Sequence, residues 1–507
     1  MEAVLERDTL AVLATGVGKT LVYQVAADRL DGPTLVVSPT IALQADQVAA
    51  LRESGAAADR LNGSIRGRRR DRVLDAFADG SLEFLLVTPE QLAGEDLVER
   101  LRAAPPSLFV VDEAHCVSTW GEDFRPDYAA LGPVVDALDR PRVLALTATA
   151  PPSVRREIVT SLGMADPAVV VGDADRQEIW LGVRECRDVD AVTEGLAELL
   201  AEIDDQVAIV YAATRRRVEE LSEALGGRGL GAVPYHGAMP RRRRDEVHRG
   251  FRDGSTRLVV ATSAFGLGVD RPDVRLVAHA DPTEGLDEYW QEAGRAGRDG
   301  EPARAVLFTR PEGYGLRRYF AAGAGATPED LRAVVRALQD GSPLRAAALA
   351  DRARCSATRS RRAVNALVRT GAVREGRAGI RLVSTAPQRR VVEDAAAFVD
   401  ALQARRETGV ALVRRYAETT DCRRRLVLEV LGEEHPQPCG RCDNCEAGTA
   451  GPATDRPFRI GAAVHHPEFG PGTVSSYEGD RLVVLFDEAG YRTLALELVR
   501  EQDLLRE

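Results

Sequence analysis

The chain has 507 residues, 44% of them hydrophobic and 29% charged, and a formal net charge of −11 at neutral pH. At roughly 100–200 residues per domain this is three or more domains with ample core, and the balance of apolar to charged residues excludes a disordered chain. No apolar run approaches the ~18 residues of a membrane span and Met1-Glu2-Ala3 opens no signal peptide, so a soluble, cytoplasmic protein is expected.

The acidic total does not exclude nucleic acid, because Arg66–Arg72, Arg241–Arg244, Arg359–Arg362 and Arg423–Arg425 are local basic clusters, and a patch decides more than a sum. The 67 basic residues include a single lysine, Lys19, against 66 arginines. Most arginines therefore reflect a compositional bias, whereas the surviving lysine stands where a compact ammonium is hard to replace by a guanidinium.

In chain order, an apolar strand Thr9–Leu13 runs into Ala14-Thr15-Gly16-Val17-Gly18-Lys19-Thr20 and then a helix. That strand–loop–helix context suits a phosphate loop. Backbone N–H groups of Thr15, Gly16, Val17 and Gly18 surround phosphates, Lys19 neutralises the β/γ oxygens and Thr20 holds Mg²⁺. Further strands follow at Thr34–Val37, Phe84–Val87, Leu108–Val111 and Val143–Leu146. The third of these ends in Asp112 and Glu113, an acid for the Mg²⁺ shell and an acid to polarise an attacking water.

A second series, Val207–Tyr211, Val233–Tyr235, Leu258–Ala261, Leu276–His279 and Ala305–Phe308, predicts a second parallel sheet joined to the first near Gly163–Arg184. After it, Gln291-Glu292-Ala293-Gly294-Arg295-Ala296-Gly297-Arg298 offers two arginines three apart, expected on one helical face. Arg298 reads as an arginine finger and Arg295 as a γ-phosphate contact, the alternative being a solvated face.

From Thr327 the pattern changes. Helices at Leu331–Leu338, Leu344–Ala353 and Ala357–Thr370 precede a hairpin at Gly371–Leu382, which suggests a winged helix with Arg359, Arg361 and Arg362 on its groove-reading element. A helical packing module is the other reading. Residues 388–432 look helical and lead to Cys422, Cys439, Cys442 and Cys445, whose spacing suits structural Zn²⁺ or an iron–sulfur cluster. A Gly/Pro/Thr linker, Gly448–Pro457, separates this from short strands over Phe458–Glu507.

The set Ala14–Thr20, Ser38-Pro39, Thr88-Pro89-Glu90, Asp112–His115, Thr147-Ala148-Thr149, Ala261–Asp270 and Gln291–Arg298 resembles superfamily-2 helicases. Asp112–Tyr128, with Trp120, Phe124, Arg125 and Tyr128 matching an aromatic-rich loop, resembles the RecQ family more narrowly. So do Cys422-Arg423-Arg424-Arg425 and Cys439–Cys445. The resemblance implies two tandem RecA-like doubly wound α/β domains (1–165 and 166–316) and a helical zinc-binding region (388–447); the residue pattern itself adds the winged-helix-like domain (327–385), and a small C-terminal barrel is expected over 458–507.

It also implies residue roles. His115, Thr147 and Thr149 would couple nucleotide state to DNA, and Trp120 and Phe124 would stack on single-stranded bases. Gly268 and Asp270 would line the cleft, and Gln291 would order the water. The implied activity is ATP- and Mg²⁺-dependent 3′→5′ DNA unwinding in repair or recombination, at the nucleoid, with Zn²⁺ structural. The rivals are a DNA-stimulated translocase that unwinds little and a DNA-binding, transcription-coupled adaptor.

Three departures stand out. Only 13 residues precede Ala14, so the family's adenine-recognising segment is expected to be missing. Thr119 and Glu122 replace a Gln and a His of the aromatic-rich loop. The winged helix lies before the cysteines, not after them, so the family's strand-separating hairpin is not carried over. Residues 458–507, with Val464–Val474 and Leu485-Phe486-Asp487, are similar to the Tudor/SH3-like barrel of UvrD/PcrA-type helicases, which implies docking to RNA polymerase or a repair protein.

Overall fold

A computed structural model describes residues 2–506 except 15–17, 93–94, 119–125, 205, 267–268, 270, 316, 318–324, 377, 452–456, 459–461, 479–480 and 487–488. The first lobe holds strands β1 (Thr9–Val12), β2 (Thr34–Val37), β3 (Ala58–Leu61), β4 (Phe84–Val87), β5 (Leu108–Val111), β6 (Arg142–Thr147) and β7 (Ala168–Val171). They form one parallel sheet in the order β3-β4-β2-β5-β6-β1-β7. Strand side chains alternate between faces, so Phe109 and Val111 join the core on one side while Leu108 and Val110 join the other. Helices cover both faces, which explains why the central strands are apolar throughout.

The second lobe repeats the plan with β8 (Ile179–Glu185), β9 (Val207–Tyr211), β10 (Val233–Tyr235), β11 (Leu258–Ala261), β12 (Val274–His279) and β13 (Ala303–Thr309). Its order is β10-β11-β9-β12-β13-β8, again all parallel.

Three strands differ from expectation. β3 is an edge strand whose middle residues, Asp59 and Arg60, are half-buried, so it lacks an apolar run. β7 and β8 occupy the stretch expected to be only a connection. β7 is the other edge of the first sheet and leaves Val169, Val170 and Val171 exposed.

Beyond the lobes, helices Pro328–Ala337, Ala346–Ala353 and Ala357–Arg369 are followed by the hairpin β14 (Val373–Gly376) and β15 (Gly379–Leu382). The hairpin is pressed on the preceding segment: Leu344 and Ile380 exchange backbone hydrogen bonds of 2.9 and 2.8 Å. A Cβ at Gly379 would lie 2.7 Å from the Leu344 carbonyl oxygen. The chain then runs through one long helix, Gln388–Glu418, and a short one, Arg423–Val430. It ends in an antiparallel sheet of β16 (Ala463–His466), β17 (Gly470–Glu478), β18 (Arg481–Phe486) and β19 (Gly490–Ala495). No described helix is long and apolar enough to cross a membrane.

Candidate active site

The parallel register brings the chemistry to one end of the first sheet. Val12 pairs with Thr147 and Val37 with Val111, so the phosphate loop, Ser38, Asp112 and Thr147 all leave the carboxyl ends of neighbouring strands. Gly18 has φ 79°, a left-handed conformation that suits glycine, and starts the helix Lys19–Ala27.

Lys19 Nζ is buried, has no hydrogen-bond partner among the described residues and lies 3.7 Å from Glu113 Oε1. A buried ammonium without hydrogen bonds is costly unless an anion completes its shell, so the residues present fit a phosphate. Asp112 is buried beside it. Its carboxylate accepts from Gln47 Nε2 at 2.7 Å and from the Glu113 amide at 3.0 Å. Burial and the neighbouring Glu113 charge push its pKa up to about 6, against the opposing pull of Lys19 and Gln47. The buried Asp112, the half-buried Glu113, the Thr20 hydroxyl and the Gln47 Oε1, which has no hydrogen-bond partner among the described residues, are hard oxygen donors that fit a hydrated Mg²⁺.

Glu113 itself sits at φ 49°, ψ 49°, a left-handed conformation uncommon for a side-chain-bearing residue. The turn it makes aims the next residues back at the site. His115 Nδ1 lies 3.0 Å from Thr147 Oγ1 and 3.3 Å from Glu113 Oε2. Because the Thr147 hydroxyl donates to the Thr149 carbonyl at 3.0 Å, the assigned tautomer carries its proton on His115 Nδ1. Hydrogen bonds thus run from His115 through Thr147 to the Thr149 carbonyl, with the Glu113 carboxylate 3.3 Å from the His115 ring.

In the second lobe Arg295 and Arg298 are held by the loop that follows β11. Arg295 donates to the Gly266 carbonyl at 2.7 Å and Arg298 to the Val269 carbonyl at 3.0 Å. They do not share a helical face. The helix Leu286–Ala293 ends before them, and turns through Gly297, φ 63°, carry both. Arg176 braces those turns by donating to the Gly294 and Ala296 carbonyls at 2.7 and 2.8 Å. Gln291 and Arg295 face the same interlobe cavity as His115 and Thr149, about 1070 Å³ in volume.

Thr15, Gly16, Val17, Trp120, Phe124, Arg125, Gly268 and Asp270 lie outside the described residues. Tyr128 is fully buried and its hydroxyl donates to the Asp112 carbonyl at 3.0 Å. Tyr128, Gln47 and Arg176 are the supports that sequence reasoning missed. For Gln47 a signal existed, since it follows Ser38-Pro39-Thr40 on a helix that carries a second buried glutamine, Gln44.

The four cysteines come together as expected, their sulfurs within 4.8 Å of one another. Backbone amides of Cys439 and Arg441 point at the Cys422 and Cys439 sulfurs, each at 3.4 Å. Four thiolates so supported fit tetrahedral Zn²⁺, and all ligands being protein sulfur makes the site structural. The segment seals the edge of the second sheet: Leu181 N donates to the Arg441 carbonyl at 3.2 Å and Val183 N to Asp443 at 2.9 Å. The three arginines after Cys422 are buried, not a basic patch. Arg424 donates to Asp175 and to the Arg176 and Ile179 carbonyls, gripping the stretch between the lobes.

Comparison with known proteins matches residues 1–158 to the DEAD/DEAH box helicase model, 191–300 to the helicase conserved C-terminal domain and 387–446 to the RecQ zinc-binding segment. Two solved structures share the fold at a TM-score of 0.50. They are the DUF1998 helicase MrfA bound to DNA (19% identity, 76% of this chain, 56% of that one) and the DEAD-box helicase Mss116 bound to ssRNA and UDP-BeF (17%, 72% and 83%). The ATP-dependent DNA helicase RecQ of Pasteurella multocida is 37% identical over 61% of this chain and 48% of its own length. This chain therefore spans about half the length of such curated relatives. The probable ATP-dependent DNA helicase RecS of Bacillus subtilis is 35% identical over 67% of this chain and 68% of its own. With both lobes, the acid pair and the four-cysteine segment matched in one order, the chain belongs to the RecQ family of superfamily-2 helicases.

Proposed function

We propose that the chain is a motor that uses Mg²⁺ and ATP to move 3′→5′ along single-stranded DNA and to separate duplex ahead of it. The observation that carries this reading is Lys19: a buried ammonium without a hydrogen-bond partner among the described residues, 3.7 Å from Glu113 and beside the acid pair. Lys19 takes the β/γ-phosphate oxygens, backed by the amides of Thr15 to Gly18. Thr20 and Asp112 hold the metal, and when bound, Mg²⁺ supplies charge neutralisation on the phosphates. Glu113, with Gln291, polarises and orients the attacking water.

Arg295 and Arg298 bring positive charge from the second lobe as the lobes close, and Gly268 and Asp270 line that wall. His115, Thr147 and Thr149 carry the nucleotide state towards the strand, where Trp120 and Phe124 stack on bases and Arg125 meets the backbone.

The test is strand displacement on 3′- and 5′-tailed duplexes, with Glu113→Gln beside the wild type. The expected result is ATP-dependent displacement from the 3′ tail alone, reduced by a factor on the order of 10² or more in the variant. DNA-stimulated hydrolysis without displacement would select a translocase, and DNA binding with no stimulated hydrolysis would sink the motor reading.

A further inference from the structure

The interlobe cavity has a third wall. Besides His115 and Thr149 from one lobe and Arg215 and Gln291 from the other, it is lined by Arg405, Arg406 and Gly409 of the long helix Gln388–Glu418. That helix is seated on the second lobe at the closest packing backbone allows. A Cβ at Gly409 would lie 2.5 Å from the Glu284 carbonyl oxygen, so Arg405 and Arg406 are carried at a set distance from the lobe.

The charge pattern along the helix breaks where it crosses the cavity. Of its other four arginines, three pair with an acid one turn on, Arg389 with Glu393, Arg390 with Asp394 and Arg414 with Glu418, while Arg415 has Thr419 at that spacing. One turn on from Arg405 and Arg406 stand Gly409 and Val410, and among the described residues neither arginine makes an ion pair. Both are half-buried.

Arg406 also faces Arg369 of the neighbouring helix. Burial and the Arg406 charge push the Arg369 pKa down to about 10, with Glu157 of the first lobe pulling the other way. Half-buried like charges raise one another's free energy, and an anion between them relieves it.

The anion is not the nucleotide, whose phosphates fall to Lys19. Arg215, after β9 across the cavity, is a further cation without an ion pair among the described residues. Of the acids on the same wall, Glu284 is held by Arg317 at 3.1 Å, Glu288 accepts from the Glu284 amide at 2.9 Å and Glu292 lies 2.9 Å from His279 Nε2, while Asp287 is exposed. Cationic points on opposite walls of one cavity suit a chain of phosphodiesters better than a single small anion.

We propose that Arg405 and Arg406 contact the phosphates of a DNA single strand held in this cavity, so that the motor grips its track with a third element beside its two lobes. This rests on the reading of the chain as a DNA motor.

The test is fluorescence anisotropy of labelled oligo-dT with the full chain over a series of salt concentrations. It compares wild type, Arg405→Glu/Arg406→Glu and Arg405→Lys/Arg406→Lys. The charge-swapped pair is expected to bind about tenfold or more weakly. Its slope of log affinity against log salt should be shallower by about 1.4, two single-strand phosphate contacts at about 0.7 each. The lysine pair, which keeps the charge, is expected to keep most of both. An unchanged affinity and slope in the charge-swapped pair overturns the proposal, as does an equal loss in the lysine pair, which would mark a packing role. A wild type that binds no oligo-dT would instead fail the motor reading itself.

Discussion

At the residue scale the site is a set of charges that need a ligand to be satisfied. Lys19 Nζ has no hydrogen bond among the described residues, the Asp112 pKa is pushed up to about 6, and Gln47 bridges from another helix to hold the Asp112 carboxylate at 2.7 Å. Gln47 is a positioning residue: it orients an acid without touching the phosphates. Outer partners of metal ligands typically contribute 10–100-fold to metal affinity. Gln47→Leu is therefore expected to raise the Mg²⁺ concentration for half-maximal ATP turnover about tenfold or more, with turnover recovering at high Mg²⁺. A variant whose Mg²⁺ titration overlays the wild type would remove Gln47 from this role.

Lys19, Asp112 and Glu113 were legible because each lies in a local strand-to-loop pattern. Gln47 was legible only as a glutamine on the helix after Ser38-Pro39-Thr40, not as the partner of Asp112, which lies 65 residues away. The bond from the Tyr128 hydroxyl to the Asp112 carbonyl was not legible either, because an aromatic near a polar loop looks the same in sequence whether it meets a base or a buried carbonyl.

At the element scale, apolar strands were readable and edge strands were not. β3 carries Asp59 and Arg60, and β8 becomes a strand only because β13 and the zinc segment pair with it. The helix Leu286–Ala293 shows what tertiary packing does to charge. Burial beside Glu292 pushes Glu288 up to about 8 from the ordinary 4.5, with Arg317 opposing. The folded chain thus keeps a proton that the unfolded chain has released. That contribution to stability is complete below pH 4.5 and is lost as pH rises to 8. His279, pushed down to about 3 by burial, contributes only below its ordinary 6.5.

Between pH 6.5 and 8, then, unfolding free energy from urea titration is expected to fall more steeply for the wild type than for Glu288→Gln. Parallel curves would show that Glu288 is ionised throughout that range.

At the scale of the whole molecule the zinc segment is a splint. Arg424, 1% exposed, joins the helix after Cys422 to Asp175, Arg176 and Ile179. Glu433 accepts from the Ala174 amide at 2.9 Å. On the first lobe's side Arg155 donates to the Leu431 carbonyl at 2.9 Å. The cysteine spacing announced a metal, but nothing in it announced that the metal site anchors the stretch on which the lobes turn. The run Cys422-Arg423-Arg424-Arg425 reads as a basic patch until those side chains are seen to be buried.

Removing one partner of a buried ion pair leaves the other uncompensated. Arg424→Met is thus expected to cost about 3–5 kcal/mol of unfolding free energy by urea titration. A loss under about 1 kcal/mol would class the contact with surface pairs.

The lone lysine has a last consequence, which is analytical. In a chain with no other lysine, a reagent that reacts with primary amines has one side-chain address, and it lies in the proposed phosphate loop. Acylation or reductive alkylation of Lys19 becomes a stoichiometric titration of that proposed nucleotide site, read by intact mass with the α-amino group as the internal reference. Whatever shields that ammonium is measured directly as protection of a single peak.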